Sequence, residues 1–370
     1  MNIGNSRIPW ARPILFGDEK VLAAEAIEST YLSAGAFIER LERAFGALHG
    51  DADAMLAVSN GTTAIELTYL ALGLGPGDEV IQPGWCFAAA ANMTLAVGAT
   101  PVFADIRPDD WMIDPDDVER RITPRTRAIV VVHTYGNVCD ASAFVEIGRR
   151  HGIPVIEDCA ESMFSRRDGR VCGTFGDVAT WSLQSTKTIT SGEGGFVFAR
   201  DDKLRQRMKL LRSHGMSGPR KYWHVEIGRN FRLTNVQAAI AVAQLGHREE
   251  LIAMRRRVDR GYQRRLGNVP GIRLQHYPKA VDPVVWAFAV LIDPDVHTVP
   301  RDEVMARMAK TGIETRPGFY SFGQQPLYGA PPLANADRIA AQTIALPFPP
   351  DLSDAEQDRV VAALQEALRA

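Results

Sequence analysis

From about residue 54 to about residue 200, short apolar runs alternate with helical patterns, an order that few folds accommodate. The runs are Met55–Val58, Glu79–Gln82, Val102–Ala104, Ala128–Val132, Pro154–Ile156 and Val178–Trp181, followed by Phe196–Phe198. Helical patterns lie between them at Thr62–Leu72, Ala88–Val97 and Ala141–Arg150, the first closed by Gly73-Leu-Gly-Pro-Gly77. Strands that are apolar throughout and separated by helices belong to a mostly parallel sheet covered on both faces. Ligands of such a sheet bind in the crevice beyond the carboxyl ends of the strands, so the residues that follow the strands are the candidates for chemistry.

The rest of the chain reads differently. From Thr234 to about Leu266 one proline-free helical pattern is first small and apolar (Ala238, Ala239, Ala241, Ala243) and then strongly charged. A helix of that length is expected to cross between domains. Beyond it, Val284–Ile292, a helix near Arg301–Lys310 and an amphipathic helix from Ser353 predict a smaller α+β domain. The expected division is residues 1–245 for a large domain and 246–370 for a small one. With 46% hydrophobic and 23% charged residues, the chain has the material for two such cores.

Several function classes are disfavoured. A formal net charge of −2 makes no polycation for nucleic acid or an acidic membrane, and the cluster Arg255-Arg-Arg257 reads as a solvated helix face. Cys86, Cys139, Cys159 and Cys172 form no CxxC pair and the histidines show no HExxH spacing, so no metal site is expected and a reducing compartment is. The start, Met1-Asn-Ile-Gly-Asn-Ser-Arg-Ile-Pro9, is polar, and no run approaches the ~20 apolar residues of a membrane span. The expectation is a cytoplasmic protein with no membrane partner.

Lys187 lies in a Ser/Thr/Gly-rich loop before Phe196, and Asp158 follows the run Pro154–Ile156, so both should reach one crevice. An amine beside a carboxylate suits pyridoxal phosphate. The amine bonds its aldehyde, and the carboxylate keeps the pyridine nitrogen protonated so that the ring draws electrons. Each residue also has a plain alternative, a solvated loop lysine and a strand-end cap. Ser59-Asn-Gly-Thr-Thr-Ala64 follows a strand and opens a helix, so the free amides of Thr62 and Thr63 are expected to face outward as a phosphate site, unless this is an ordinary capped helix. Ser182, five residues before Lys187, is placed to add a hydroxyl. Phe87 could stack on the ring, with Trp85 its competitor. There is no GxxxxGK, and the glycines of Gly73–Gly77 have the wrong spacing for a dinucleotide site.

Taken in order, Ser59-Asn-Gly-Thr-Thr-Ala64, Gly75-Pro-Gly-Asp-Glu-Val80, Thr123-Pro-Arg-Thr-Arg-Ala128, Val132-His-Thr-Tyr-Gly136, Ile156-Glu-Asp-Cys-Ala160, Thr186-Lys187, Gly192-Glu-Gly-Gly195 and Asn230-Phe-Arg-Leu-Thr-Asn235 resemble the sugar aminotransferases of the DegT/DnrJ/EryC1/StrS family. The resemblance implies a type I pyridoxal-phosphate aminotransferase fold, α/β, with a mostly parallel seven-stranded sheet in the large domain and a smaller C-terminal α+β domain. It implies that Lys187 carries the cofactor, that Asp158 faces the pyridine nitrogen, and that Thr62, Thr63 and Ser182 bind the phosphate. It further implies that Asn230 reaches the phosphate of the neighbouring subunit's cofactor, which makes a homodimer with shared active sites. Arg232 is a candidate for the glutamate carboxylate, because a guanidinium forks onto a carboxylate; a surface salt bridge is the alternative. Glu161 stands where the family often has a neutral partner for the ring's phenolic oxygen, commonly glutamine. It is expected to be protonated, bridged by water or turned away.

Within the family the chain is similar to the GDP-perosamine synthases, which aminate carbon 4 of a nucleotide-linked 4-keto-6-deoxyhexose. Lys221-Tyr-Trp223, Gly228–Asn235 and Gly312-Ile-Glu-Thr-Arg-Pro317 carry this finer likeness; Arg316, within the last of them, and Tyr320 are candidate substrate residues. Gln184-Ser-Thr186, Trp85 and Tyr320 depart from that pattern. The expected reaction moves an amino group from L-glutamate to such a keto sugar, for cell-surface polysaccharide or secondary-metabolite biosynthesis. The alternatives are another keto sugar or a cyclitol, or a regulator that binds the cofactor without turnover. A dehydratase of the same fold carries histidine in place of the lysine, and Lys187 argues against it.

Overall fold

The computed structural model describes residues 7–218 and 220–369. Most of the polar start, Met1–Ser6, lies outside the described residues.

Two helices, α1 (Asp18–Glu28) and α2 (Ala36–Leu48), precede the alternating region. There β1 (Met55–Val58), β2 (Glu79–Pro83), β3 (Thr100–Ala104), β4 (Thr126–Val132) and β5 (Val155–Asp158) are separated by α3 (Gly61–Leu72), α4 (Ala89–Ala96), α5 (Pro115–Arg121) and α6 (Ala141–His151). A short hairpin, β6 (Arg166–Arg167) and β7 (Arg170–Val171), leads to β8 (Val178–Ser182) and β9 (Gly195–Ala199), and α7 (Asp202–Arg212) follows. Seven of these strands form one sheet in the order β1-β9-β8-β5-β4-β2-β3. Only β9 runs antiparallel to its neighbours. The expected strands all appear and are largely buried, apart from the start of the edge strand β3; apolar clusters pack on them, one holding Leu56, Val130 and Ile156, one Phe45, Trp181 and Phe196, and one Ile81, Val131 and Val155.

The expected single helix from Thr234 to Leu266 is two helices, α8 (Asn235–Gly246) and α9 (Arg248–Leu266). The break falls at His247, whose ring stacks on Phe16 with centroids 4.0 Å apart and whose Nε2 lies 2.8 Å from the Asp18 carboxylate. Those contacts draw the residue out of helical geometry despite a continuous helical pattern. Of Val284–Ile292 only Ala289–Ile292 is strand. The earlier half is tied elsewhere, with Val284 N–H donating to Ser165 Oγ at 2.9 Å and Trp286 N–H to Tyr135 O at 3.0 Å.

The C-terminal part builds its own sheet from β10 (Ile272–Leu274), β12 (Ala289–Ile292), β13 (Arg316–Pro317) and β14 (Thr343–Ala345), in the order β10-β12-β14-β13, while β11 (Val281–Asp282) pairs with β6. Around it lie α10 (Arg301–Lys310), α11 (Ala334–Gln342) and α12 (Asp354–Ala367). The start of the chain joins this part too. Ile8 is buried in its core and bridges Ile313, and Phe348 N–H donates to Trp10 O at 2.8 Å. Among the described residues no helix is long and apolar enough to cross a membrane.

Strand ends and helix starts meet at one edge of the large sheet because the chain leaves room for them. A Cβ on Gly61 would stand 2.9 Å from Ser182 Cβ, and one on Gly195 would stand 2.6 Å from Trp181 O and 2.8 Å from Asn60 C. Glycine at these places lets β8, β9 and the start of α3 close together. Gly195→Ala is therefore expected to destabilise the cofactor-free protein by about 1–3 kcal/mol, the usual cost of overpacking, as a lowered thermal midpoint. An unchanged midpoint would mean that the junction yields freely.

Candidate active site

A cleft of about 1010 Å³ opens at the carboxyl ends of β5 and β8, between the large sheet and the strand-loop segment 314–325. Thr62, Thr63, Phe87, Asp158, Glu161, Ser182, Lys187, Arg316 and Tyr320 all line it. Asn230 and Arg232 do not line the cleft of their own chain. Asn230 is exposed and bridges Ser213, and Arg232 bridges Val58 beside the start of α3.

At one end stands the N-terminus of α3. Here the structure corrects the expectation for Thr63. Its amide donates to Asn60 Oδ1 at 2.8 Å and its Oγ1 accepts the Asn60 N–H at 3.2 Å, completing a capping box, so Thr63 has no free amide to offer a phosphate. The amides of Gly61 and Thr62, by contrast, have no acceptor among the described residues, as the first turn of a helix dictates. Together with Ser182 Oγ across from them they form an anion-binding corner.

At the other end Asp158 closes β5. One of its oxygens accepts the Ala160 N–H at 3.0 Å, and its other oxygen has no donor among the described residues. Burial raises the Asp158 carboxyl above the ordinary range, against the pull of the Ala160 amide and of Lys187. Beneath it Glu157 is fully occupied. It accepts the amides of Gly173, Phe175 and Gly176 at 2.7–2.8 Å, and His133 Nε2 lies 3.0 Å away. Among the described residues His133, Glu157 and Cys159 are the one group with metal-ligand spacing, but the Glu157 oxygens are already committed to these donors.

Lys187 sits between these ends in the irregular segment that joins β8 to β9, partly open to the cleft. Gln184 shapes that segment, accepting from the Thr186 N–H at 2.9 Å and the Thr186 hydroxyl at 2.7 Å. The Lys187 amine makes no hydrogen bond among the described residues and lies 3.7 Å from the centroid of the Trp286 ring. Burial lowers its pKa; Glu161 and Asp158 raise it, and Arg255 lowers it further. Glu161 Oε2 accepts the Tyr135 N–H at 3.0 Å, and burial pushes this carboxyl up to about 7. Glu161 thus faces the cleft rather than turning away, and burial favours its neutral form.

Of the two aromatic candidates only Phe87 reaches the cleft, 60% exposed. Trp85 is fully buried, with its indole N–H donating to Phe319 O. Arg316 is half-exposed and paired with Glu314, and Tyr320 is half-exposed with the Arg301 guanidinium 5.4 Å from its ring centroid. Sequence reasoning missed Trp286 and Tyr135, which stand in an apolar run and a strand-end turn and carry no signal of their own. It misread Arg255, which is buried rather than solvated. Its signal was there: Leu251, Arg255, Val258 and Tyr262 recur at helical spacing on the buried face of α9.

A profile of the DegT/DnrJ/EryC1/StrS aminotransferase family matches residues 16–365. The chain is similar to the GDP-perosamine synthase of Caulobacter vibrioides, 39% identical over 98% of each chain. It is also similar to the GDP-perosamine synthase of Escherichia coli O157:H7, 36% identical over 97% of this chain and 98% of that one. Among solved structures, the aminotransferase TlmJ from Streptoalloteichus hindustanus matches with a TM-score of 0.93 at 32% identity, covering 98% of both chains.

The position of Glu161 has a measurable consequence. With the folded value raised to about 7 from 4.5, the folded protein holds a proton through a range in which the unfolded chain has lost it. Stability should therefore fall as pH rises from about 4.5 to about 7, by up to ~3 kcal/mol. In Glu161→Gln that loss is absent. Unfolding midpoints of the two cofactor-free proteins should diverge in favour of the variant as pH rises, and parallel profiles would contradict the assignment.

Proposed function

The chain belongs to the DegT/DnrJ/EryC1/StrS family of pyridoxal-phosphate-dependent aminotransferases, and we propose that it moves the amino group of L-glutamate to carbon 4 of a nucleotide-linked 4-keto-6-deoxyhexose of the perosamine type. The observation that carries the choice of acceptor is near-complete coverage by two relatives named GDP-perosamine synthase, at 39% and 36% identity.

The cleft suits the cofactor. Its anion corner takes a phosphate through the amides of Gly61 and Thr62 and the hydroxyl of Ser182, and the glycine at 61 keeps that corner from being filled by a Cβ. The unmatched oxygen of Asp158 suits a protonated ring nitrogen, whose positive charge would also offset the cost of keeping this carboxylate ionised. Phe87 offers an aromatic face, and Glu161 a carboxyl whose protonated form, favoured by burial, can donate to the phenolic oxygen. Bound there, pyridoxal phosphate supplies an aldehyde to take up the amino group and a ring to draw electrons from the carbon that loses a proton. Lys187 is the residue that would bond that aldehyde. Burial lowers its pKa and so favours the free amine, the form in which it could take the proton from the α-carbon of the amino donor and return it to the carbon of that aldehyde. Arg316 and Tyr320, on the C-terminal side, face the acceptor. Arg232, outside the cleft of its own chain, would meet the glutamate carboxylate only in the partner's cleft, on the same segment as Asn230.

We further assign the chain to the cytoplasm, in keeping with four buried free cysteines, and to a homodimer in which exposed Asn230 reaches across to the partner's cofactor. Sedimentation as a monomer under assay conditions would contradict the latter. The division into domains belongs near the break at His247, with the start of the chain packed on the C-terminal part.

The test is a panel of nucleotide-linked keto sugars with L-glutamate, the product identified by mass and NMR. Amination at carbon 4 of the 6-deoxy-4-keto sugar is expected, with Asp158→Asn folded but at least ~100-fold slower, as for other lost electrostatic partners. Preference for a 3-keto sugar or a cyclitol would overturn the acceptor, and near-normal activity in Asp158→Asn would overturn the site.

A further inference from the structure

Arg255 is an unusual residue to bury. It is 4% exposed on α9, and no carboxylate lies within ion-pairing distance among the described residues. An unpaired charge out of water is costly unless its hydrogen bonds are made. Its acceptors are all backbone carbonyls: Trp286 O at 3.1 Å, Lys187 O at 3.3 Å and Thr186 O at 3.4 Å, while Nε has no partner. Two of the three belong to the peptide units on either side of the Lys187 amide-to-carbonyl path. The indole N–H of Trp286 donates to the same Thr186 carbonyl at 2.9 Å, and its ring lies under the Lys187 amine. The guanidinium, the indole and the lysine loop therefore form one closed unit, built by the C-terminal part of the chain against a segment with no ladder of its own.

We infer that Arg255, with Trp286, is a positioning residue for Lys187: the pair fixes the carbonyls of Thr186 and Lys187, and Arg255 sets a like charge behind the amine without touching substrate. The charged and titratable groups facing that amine are Asp158 from β5, Glu161 from the turn after it, and Arg255 from α9. The two acids and the aromatic face favour the ammonium, and Arg255 opposes them. Burial lowers the guanidinium only to about 10, so it keeps its charge at neutral pH. A carboxylate partner would cancel that effect, which gives the lack of one a physical meaning.

This proposal rests on reading Lys187 as the cofactor-bearing lysine, and its test separates the two. In cofactor-free protein, modification of Lys187 by trinitrobenzenesulfonate, quantified by peptide mass mapping across pH, reads the amine directly. Arg255→Gln keeps a donor for the carbonyls and removes the charge. Its midpoint is expected to rise by about one pH unit, so that modification at a fixed pH below it slows ~10-fold. Trp286→Phe removes the indole N–H and keeps a smaller aromatic ring under the amine. Its midpoint should not rise, since the weaker ring face favours the ammonium less, while attachment of added pyridoxal phosphate slows roughly fivefold, the weight of one hydrogen bond. A wild-type midpoint in folded Arg255→Gln overturns the proposal, and so does wild-type attachment in Trp286→Phe, which decides alone if Arg255→Gln does not fold. If the reading of Lys187 itself is wrong, the wild type attaches the cofactor elsewhere or not at all, whatever the variants do.

Discussion

Everything in this cleft depends on holding an amine, two carboxyls and a guanidinium where water is scarce. Alone, each would be forced toward its neutral form by desolvation. Together they settle unequally. Glu161 is pushed toward the acid, Lys187 toward the free amine, and Arg255 keeps its charge against backbone carbonyls. Asp158, raised by burial, keeps one oxygen unmatched, so its charge awaits a cation from outside the chain. The site is electrostatically incomplete by itself, and a protonated pyridine with an attached phosphate is the kind of group that completes it.

The fold supplies that arrangement cheaply because of where parallel strands end. Asp158 and Thr180 are partners on β5 and β8, so the strand that carries the carboxylate lies beside the one that leads through Ser182 to the lysine loop. The start of α3 meets the same edge with two amides that no helix can satisfy internally. The large sheet thus provides both ends of the cleft, the corner of free amides and the carboxylate. The lysine loop between them has no sheet partners, and the C-terminal part secures it through Arg255 and Trp286.

This division explains what was legible in the sequence. Apolar runs between turns marked the strands of the large sheet, and a residue following a strand lies at the crevice whatever its neighbours, so Lys187, Asp158, Phe87 and Ser182 could be placed there from order alone. Readings that needed tertiary detail fared otherwise. Ser59–Ala64 reads either as a phosphate site or as a capped helix, and only the structure shows that Asn60 takes the Thr63 amide and leaves those of Gly61 and Thr62. The break at His247 comes from Phe16 and Asp18, more than two hundred residues away in sequence. Arg255 looked solvated because charged residues surround it, although its spacing with Leu251 and Val258 put it on the buried face. Asn230 and Arg232 lie outside their own chain's cleft, and a single chain offers no geometry for a contact with a partner.

The central claim is that the Lys187 amine is the one the cleft prepares for a covalent bond. Reducing the protein with borohydride in the presence of pyridoxal phosphate and mapping the peptides tests it most directly. The account predicts a phosphopyridoxyl mass on Lys187 and on no other lysine. The same mass on a different lysine, with Lys187 unmodified, would contradict it.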